Sequence, residues 1–96
     1  MTNPFNAEAR LFINGELCDA ISGKTYNNIN PATEEIVGVA ADAGLADAEL
    51  ALAAARRAFD ETDWSTNHAF RKKCLIQLRD GLKAVAADLR EQVIAE

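Results

Sequence analysis

One histidine, two cysteines and no CxxC pair leave the chain short of soft ligands at any recognisable spacing, so no metal site is expected. Its five glycines, at 15, 23, 38, 44 and 81, make neither GxGxxG nor GxxxxGKS/T. That excludes the familiar glycine-rich loops that cradle phosphate. No run of 18 apolar residues exists, and MTNPFNAEAR has neither the basic start nor the apolar stretch of a signal peptide. A membrane partner is not expected, and a cytoplasmic location is. Basic residues are also few: 10 Lys and Arg stand against 15 Asp and Glu, a net charge of -5, which argues against nucleic acid bound through a basic surface.

What is present is the composition of a soluble globular chain, 49% hydrophobic and 26% charged over 96 residues. One domain at most is expected, with a small core that buries about 60 to 70% of the unfolded surface. Cys18 and Cys74 allow a disulfide by number alone, but in a reducing compartment two buried free thiols are the expectation.

The stretch Gly44 to Asp60, GLADAELALAAARRAFD, organises the rest. Leu45, Ala48, Leu52, Ala55 and Phe59 recur at steps of three and four and predict the buried face of an amphipathic helix. Asp47, Arg57 and Glu61 fall on the far side. Gly44 is a weak N-cap, Asp47 complements the helix dipole, and seven alanines between 46 and 58 favour helix and close backbone approach.

Residues 1 to 9 read as a loose arm anchored by Phe5. Arg10 to Ile13 and Glu16 to Ala20 flank Asn14-Gly15, which suits a two-residue type I′ turn and sets Phe12 opposite Leu17 and Leu11 opposite Cys18. Ser22-Gly23-Lys24 is a second turn, and TYNNIN is extended, with Tyr26 and Ile29 as anchors. Asn30-Pro31 ends that stretch. Glu35 to Ala41 follows as a strand in which Gly38 marks a bulge or a close approach. Strands and turns thus occupy 10–41 and helices 44–96.

Trp64 is expected between two helices. Asn67 caps the second, whose stripe is Phe70, Cys74, Leu75, Leu78, Leu82 and Val85, continued by Leu89 and Val93. Gly81 suggests a close neighbour. Arg71 enters the stripe and so calls for a carboxylate from Asp60, Glu61 or Asp63. Ile76 and Ile94 lie off the stripe and call for a second cover.

No catalytic constellation emerges. His68 has no evident nucleophile beside it and reads as a solvent-facing first-turn residue, Glu34-Glu35 as a solvated turn, and both cysteines as structural.

Taken together, LFINGEL at 11 to 17, INPATEE at 29 to 35, ALAAARRAFDE at 51 to 61, Trp64-Ser65, Arg71 and the closing IAE at 94 to 96 resemble, in order and spacing, the amino-terminal region of aldehyde dehydrogenases. The resemblance implies an α/β parent fold in which this segment supplies short antiparallel strands followed by two to three helices, all in the outer coenzyme-binding domain. It implies an NAD- or NADP-dependent oxidoreductase that converts aldehydes to carboxylic acids through a cysteine nucleophile and a glutamate, in a longer, homo-oligomeric parent.

Neither Cys18 nor Cys74 matches the family's catalytic motif, so catalytic, cofactor-binding and metal residues are all expected to be none. The segment alone should be inactive and hold no NAD or NADP. Some members bind a monovalent cation through backbone carbonyls that would correspond to Asn28 and Ile29, but no site is expected from these alone. The family commonly has Gly where this chain has Glu34, which puts a positive-φ turn in doubt. Family pattern also breaks the last helix near Ala86 to Asp88, where periodicity alone would continue it to Glu96. The competing expectation is an autonomous small helical interaction module.

Overall fold

A computed structural model describes residues 8–96; Phe5, expected to anchor the arm, lies outside the described residues. The elements run β1 (Leu11–Ile13), β2 (Glu16–Cys18), β3 (Thr25–Ile29), β4 (Ile36–Ala41), α1 (Leu45–Glu61), α2 (His68–Ala84) and α3 (Ala86–Ala95).

β1 and β2 form the expected hairpin. Asn14 and Gly15 both take positive φ, 55° and 77°, the handedness that matches the twist of the flanking strands. Phe12 pairs with Leu17 and Leu11 with Cys18. The chain then turns at Gly23, which has φ 73° and donates its N–H to the Ala20 carbonyl at 2.8 Å.

β3 and β4 form a second antiparallel pair with a bulge: Asn28 opposes Gly38 while Ile29 opposes Ile36, so Val37 is the extra residue. Val37 is also the most deeply buried side chain, 1% exposed. Tyr26 and Ile29, expected to anchor this stretch, are instead more than half exposed, because the sheet has two strands and nothing described lies over these side chains. The connecting turn is organised by buried Asn30. Its Oδ1 accepts from the N–H groups of Ala32 and Thr33, its carbonyl accepts from Glu34, and its own N–H donates to the Glu35 carbonyl. Glu34 keeps a positive φ of 62° although it is not glycine, so the turn in doubt is present.

The arm's last residue is tied to the second hairpin, since Ala41 donates its N–H to the Ala9 carbonyl at 2.7 Å.

α1 corrects the expected face. Asp47, assigned to the far side, is 4% exposed. Leu45 and Leu52, assigned to the buried stripe, are 76% and 70% exposed, and Phe59 is 52% exposed. The face turned toward Phe12 and Ile13 keeps Ala55 of the expected stripe but otherwise carries Ala51, Ala54 and Ala58. These positions follow Asp47 at helical steps, so the attachment of Asp47 sets the rotation of the whole helix. Large side chains reveal a stripe in the sequence, but a hairpin of three-residue strands lies closest to alanines.

Asn67 caps α2 as expected, its Oδ1 accepting from the Phe70 N–H at 3.0 Å. The break before α3 falls at Val85, one residue ahead of the expected interval. Trp64 does not fill a gap between helices; it lies edge-on to Phe70, centroids 5.9 Å apart, at the start of α2. Nothing described comes within 4 Å of a side chain placed at Gly81, so the close neighbour expected there is not seen. No residue of α2 or α3 is buried. Apart from the two hairpins, the firmest packing joins α1 to β1. A radius of gyration of 16.5 Å exceeds the roughly 13 Å of a packed domain of this length, which measures how open the helices lie.

Candidate functional site

The residues singled out from sequence are not gathered into one place. Cys18 lies on β2 opposite Leu11, and Cys74 lies on α2. Both are free thiols and half-buried rather than buried. Glu34 and Glu35 are exposed beside the Asn30 turn. Asn28 and Ile29 are paired within β3 and β4 at the bulge. Among the described residues no three His, Cys, Asp or Glu side chains come together as a metal site would require.

Arg71 does not meet the expected carboxylate. Asp60 is engaged by Arg56 in a salt bridge within α1, Asp63 accepts from the Asn67 side-chain amide at 2.9 Å, and Arg71 turns along α2 to place Nη2 against Nδ1 of His68. Spacing three residues apart on one helix makes that contact local and accessible without any tertiary packing. In this arrangement the imidazole Nδ1 is the acceptor and the guanidinium the donor.

Around this pair lies an open groove of about 640 Å3, bordered by Trp64, His68, Arg71, Lys72, Leu75, Ile76 and Arg79. Its lining combines aromatic and aliphatic side chains with cationic ones. No carboxylate, hydroxyl or thiol side chain borders it.

The clear electrostatic shifts lie elsewhere and belong to surface pairs. Hydrogen bonds from the Arg10 side chain hold the Glu8 carboxyl down to about 2, and the same contact raises Arg10. The hydrogen bond from Arg56 likewise lowers Asp60 and raises Arg56. These are exposed pairs within one segment and mark no reactive centre.

The place where a phosphate would meet the first turn of α1 is taken by the chain's own anion: Asp47 Oδ2 accepts from the Gly44 N–H at 2.9 Å. The first turn of α2 is capped in the same way by Asn67.

What sequence reasoning missed is Asp47 as a structural acceptor. The signal was there in GLAD, a glycine N-cap followed three residues later by a carboxylate, which is half of a capping box. Nothing local could say that its second oxygen would reach Ile21.

Comparison with known proteins follows the same lines. Residues 18–96 match the sequence profile of the Aldehyde dehydrogenase family. Among curated proteins, "Aldehyde dehydrogenase 1" of Tanacetum cinerariifolium is 41% identical over 81 residues, covering 83% of this chain and 16% of that protein. "Aldehyde dehydrogenase family 2 member C4" of Arabidopsis thaliana is 39% identical, covering 91% of this chain and 16% of that protein. Among solved structures, a betaine aldehyde dehydrogenase double mutant from Staphylococcus aureus, in complex with NAD+, superposes with a TM-score of 0.77 at 31% identity, covering 85% of this chain and 17% of that one. The chain thus spans about 16% of the length of these curated relatives.

Proposed function

We infer function from kinship: this chain belongs to the aldehyde dehydrogenase family. Its role is that of an amino-terminal scaffold segment in an NAD- or NADP-dependent enzyme that oxidises aldehydes to carboxylic acids. The strands of 10–41 and the helices of 44–96 belong to the outer part of the coenzyme-binding domain, and the parent assembles as a homo-oligomer. The catalytic cysteine, the glutamate and the groups that hold the nicotinamide cofactor are supplied by the remainder of such a parent, and none by this stretch. The parent is placed in the cytoplasm on this reading.

One observation carries this reading. Residues 18–96, which match the family's profile, fold into elements whose large apolar side chains, Leu45, Leu52, Leu75 and Leu78 among them, face outward. Side chains of that size at helical spacing are the inner surface of something larger.

The test is to read the coding sequence beyond codon 96 and to express both the 96-residue chain and any longer frame. The longer product should reduce NAD+ or NADP+ when given an aldehyde, and the short one should not. A frame that ends at codon 96 with no continuing partner, or aldehyde oxidation by the short chain itself, would refute the scaffold role.

A further inference from the structure

We propose that Asn14 is a site of spontaneous deamidation, gated by the hairpin turn it sits in, and that the isoaspartate formed there undoes the register of β1 and β2. The proposal is independent of the family reading, and its only co-reactant is water.

The step balances as follows. The Gly15 nitrogen loses its proton and bonds to Cγ of Asn14, the bond from Cγ to the side-chain nitrogen breaks, and ammonia leaves with that proton. Water then opens the five-membered imide. Cleavage between Cγ and the Gly15 nitrogen leaves aspartate. Cleavage between the main-chain carbonyl carbon of residue 14 and that nitrogen leaves isoaspartate, with Cβ and Cγ now in the main chain.

Turn geometry sets the rate. Attack needs the Gly15 nitrogen on the side of Cα that carries Cβ, which for an L residue is ψ of about -120°, the value at the first central position of a type II′ turn. Asn14 and Gly15 have φ 55° and 77°, the pattern of a type I′ turn, in which ψ of the first residue is about 30° and the next nitrogen faces away from the side chain. The two turns differ by a flip of the peptide between Asn14 and Gly15, and both are favoured two-residue hairpin loops. Asn14 already holds the φ that they share. Gly15 must reverse the sign of its φ, which costs a residue without Cβ little, and even an added Cβ would meet nothing within 4 Å there. Asn14 and Gly15 are both exposed, so water reaches the imide.

The structure withholds these conditions from the other described asparagines. Asn30 is buried, its Oδ1 accepts from Ala32 and Thr33, and Pro31 after it has no N–H to lose. Asn67 is held at both ends of its amide, by Phe70 and Asp63. Asn27 and Asn28 lie in the ladder opposite Val39 and Gly38, each followed by a residue that carries a Cβ.

Isoaspartate adds a main-chain atom to the loop that sets Phe12 opposite Leu17 and Leu11 opposite Cys18. Since β1 is the strand against which α1 packs, the modification loosens that contact as well.

The 96-residue chain, its Asn14→Gln variant and a free peptide of residues 11–17 are incubated in neutral buffer, then sampled, digested and mapped by mass, with isoaspartate identified by an isoaspartyl methyltransferase. Asn14 should convert to aspartate and isoaspartate ahead of Asn27, Asn28, Asn30 and Asn67. It should do so about ten-fold more slowly than in the peptide, the factor for a flipped turn that holds about a tenth of the population. Asn14→Gln, which would need a six-membered ring, should show no conversion at residue 14 over the same time.

No conversion at Asn14 over many half-lives of the peptide's asparagine would overturn the proposal, as would conversion led by another asparagine. Equal rates in chain and peptide would overturn it too, because the turn would then not hold the nitrogen away. Each readout is a covalent change located to one residue, so it is legible whether or not the chain associates, and none bears on aldehyde oxidation by the longer frame.

Discussion

Asp47 Oδ1 accepts the backbone N–H of Ile21 at 3.0 Å, joining the first turn of α1 to the chain 26 residues earlier. With Oδ2 on the Gly44 N–H, one carboxylate satisfies a helix end and a strand connection together. Asp47→Ala removes both acceptors, and an unpaired buried amide costs about 1 to 3 kcal/mol. The amides of Ile21 and Gly44 should then exchange with deuterium at least about ten-fold faster than in the parent chain. Unchanged protection at both would mean that the tether does not persist in solution.

Glu34 holds φ 62° at a position where a side chain is strained. Glu34→Gly should relieve about 1 kcal/mol there. The amides of Glu34 and Asn30, which close the turn through the Asn30 and Glu35 carbonyls, should become better protected from exchange. Faster exchange would show that the glutamate conformer is unstrained.

Phe59 is half exposed, with the Arg56 guanidinium 4.8 Å from its ring centre. In the chain by itself Phe59→Ala should therefore cost only about 1 kcal/mol, the scale of an exposed cation–π contact, and not the roughly 3 to 5 kcal/mol of a core phenylalanine. Loss of most helical circular dichroism in the variant would place the ring in a core after all.

The Arg56–Asp60 pair makes a pH prediction. A hydrogen bond from Arg56 holds the Asp60 carboxyl below its ordinary value, so its contribution is present above the unfolded-state value and is lost as pH falls through the lowered one. Both side chains are more than half exposed, which keeps that contribution small. In a carboxyl NMR titration the Asp60 midpoint should rise toward the ordinary range in Arg56→Gln. An unmoved midpoint would show that the pair is not formed.

Local chemistry was legible in the sequence. Asn14-Gly15 set the hairpin and its register, Asn67 set the start of α2, and the Asn30-Pro31 turn stands where expected. What sequence could not supply was which face each helix turns inward. Leu45, Leu52 and Phe59 mark the widest apolar stripe on α1, but rotation is fixed by the Asp47–Ile21 bond, a contact with no periodicity to announce it. Arg71 was missed for a related reason. Pattern showed that it needed a partner, while the carboxylates nearest in sequence were already engaged by Arg56 and Asn67.

Equilibrium unfolding of the 96-residue chain, followed by circular dichroism at several protein concentrations, tests most directly whether it is a scaffold built to be covered. Short hairpins and helices without a buried face have little cooperativity of their own, and outward-facing leucines favour association. A shallow transition whose midpoint moves with concentration is the result expected. A sharp two-state transition, independent of concentration, would contradict the account and favour a self-sufficient module.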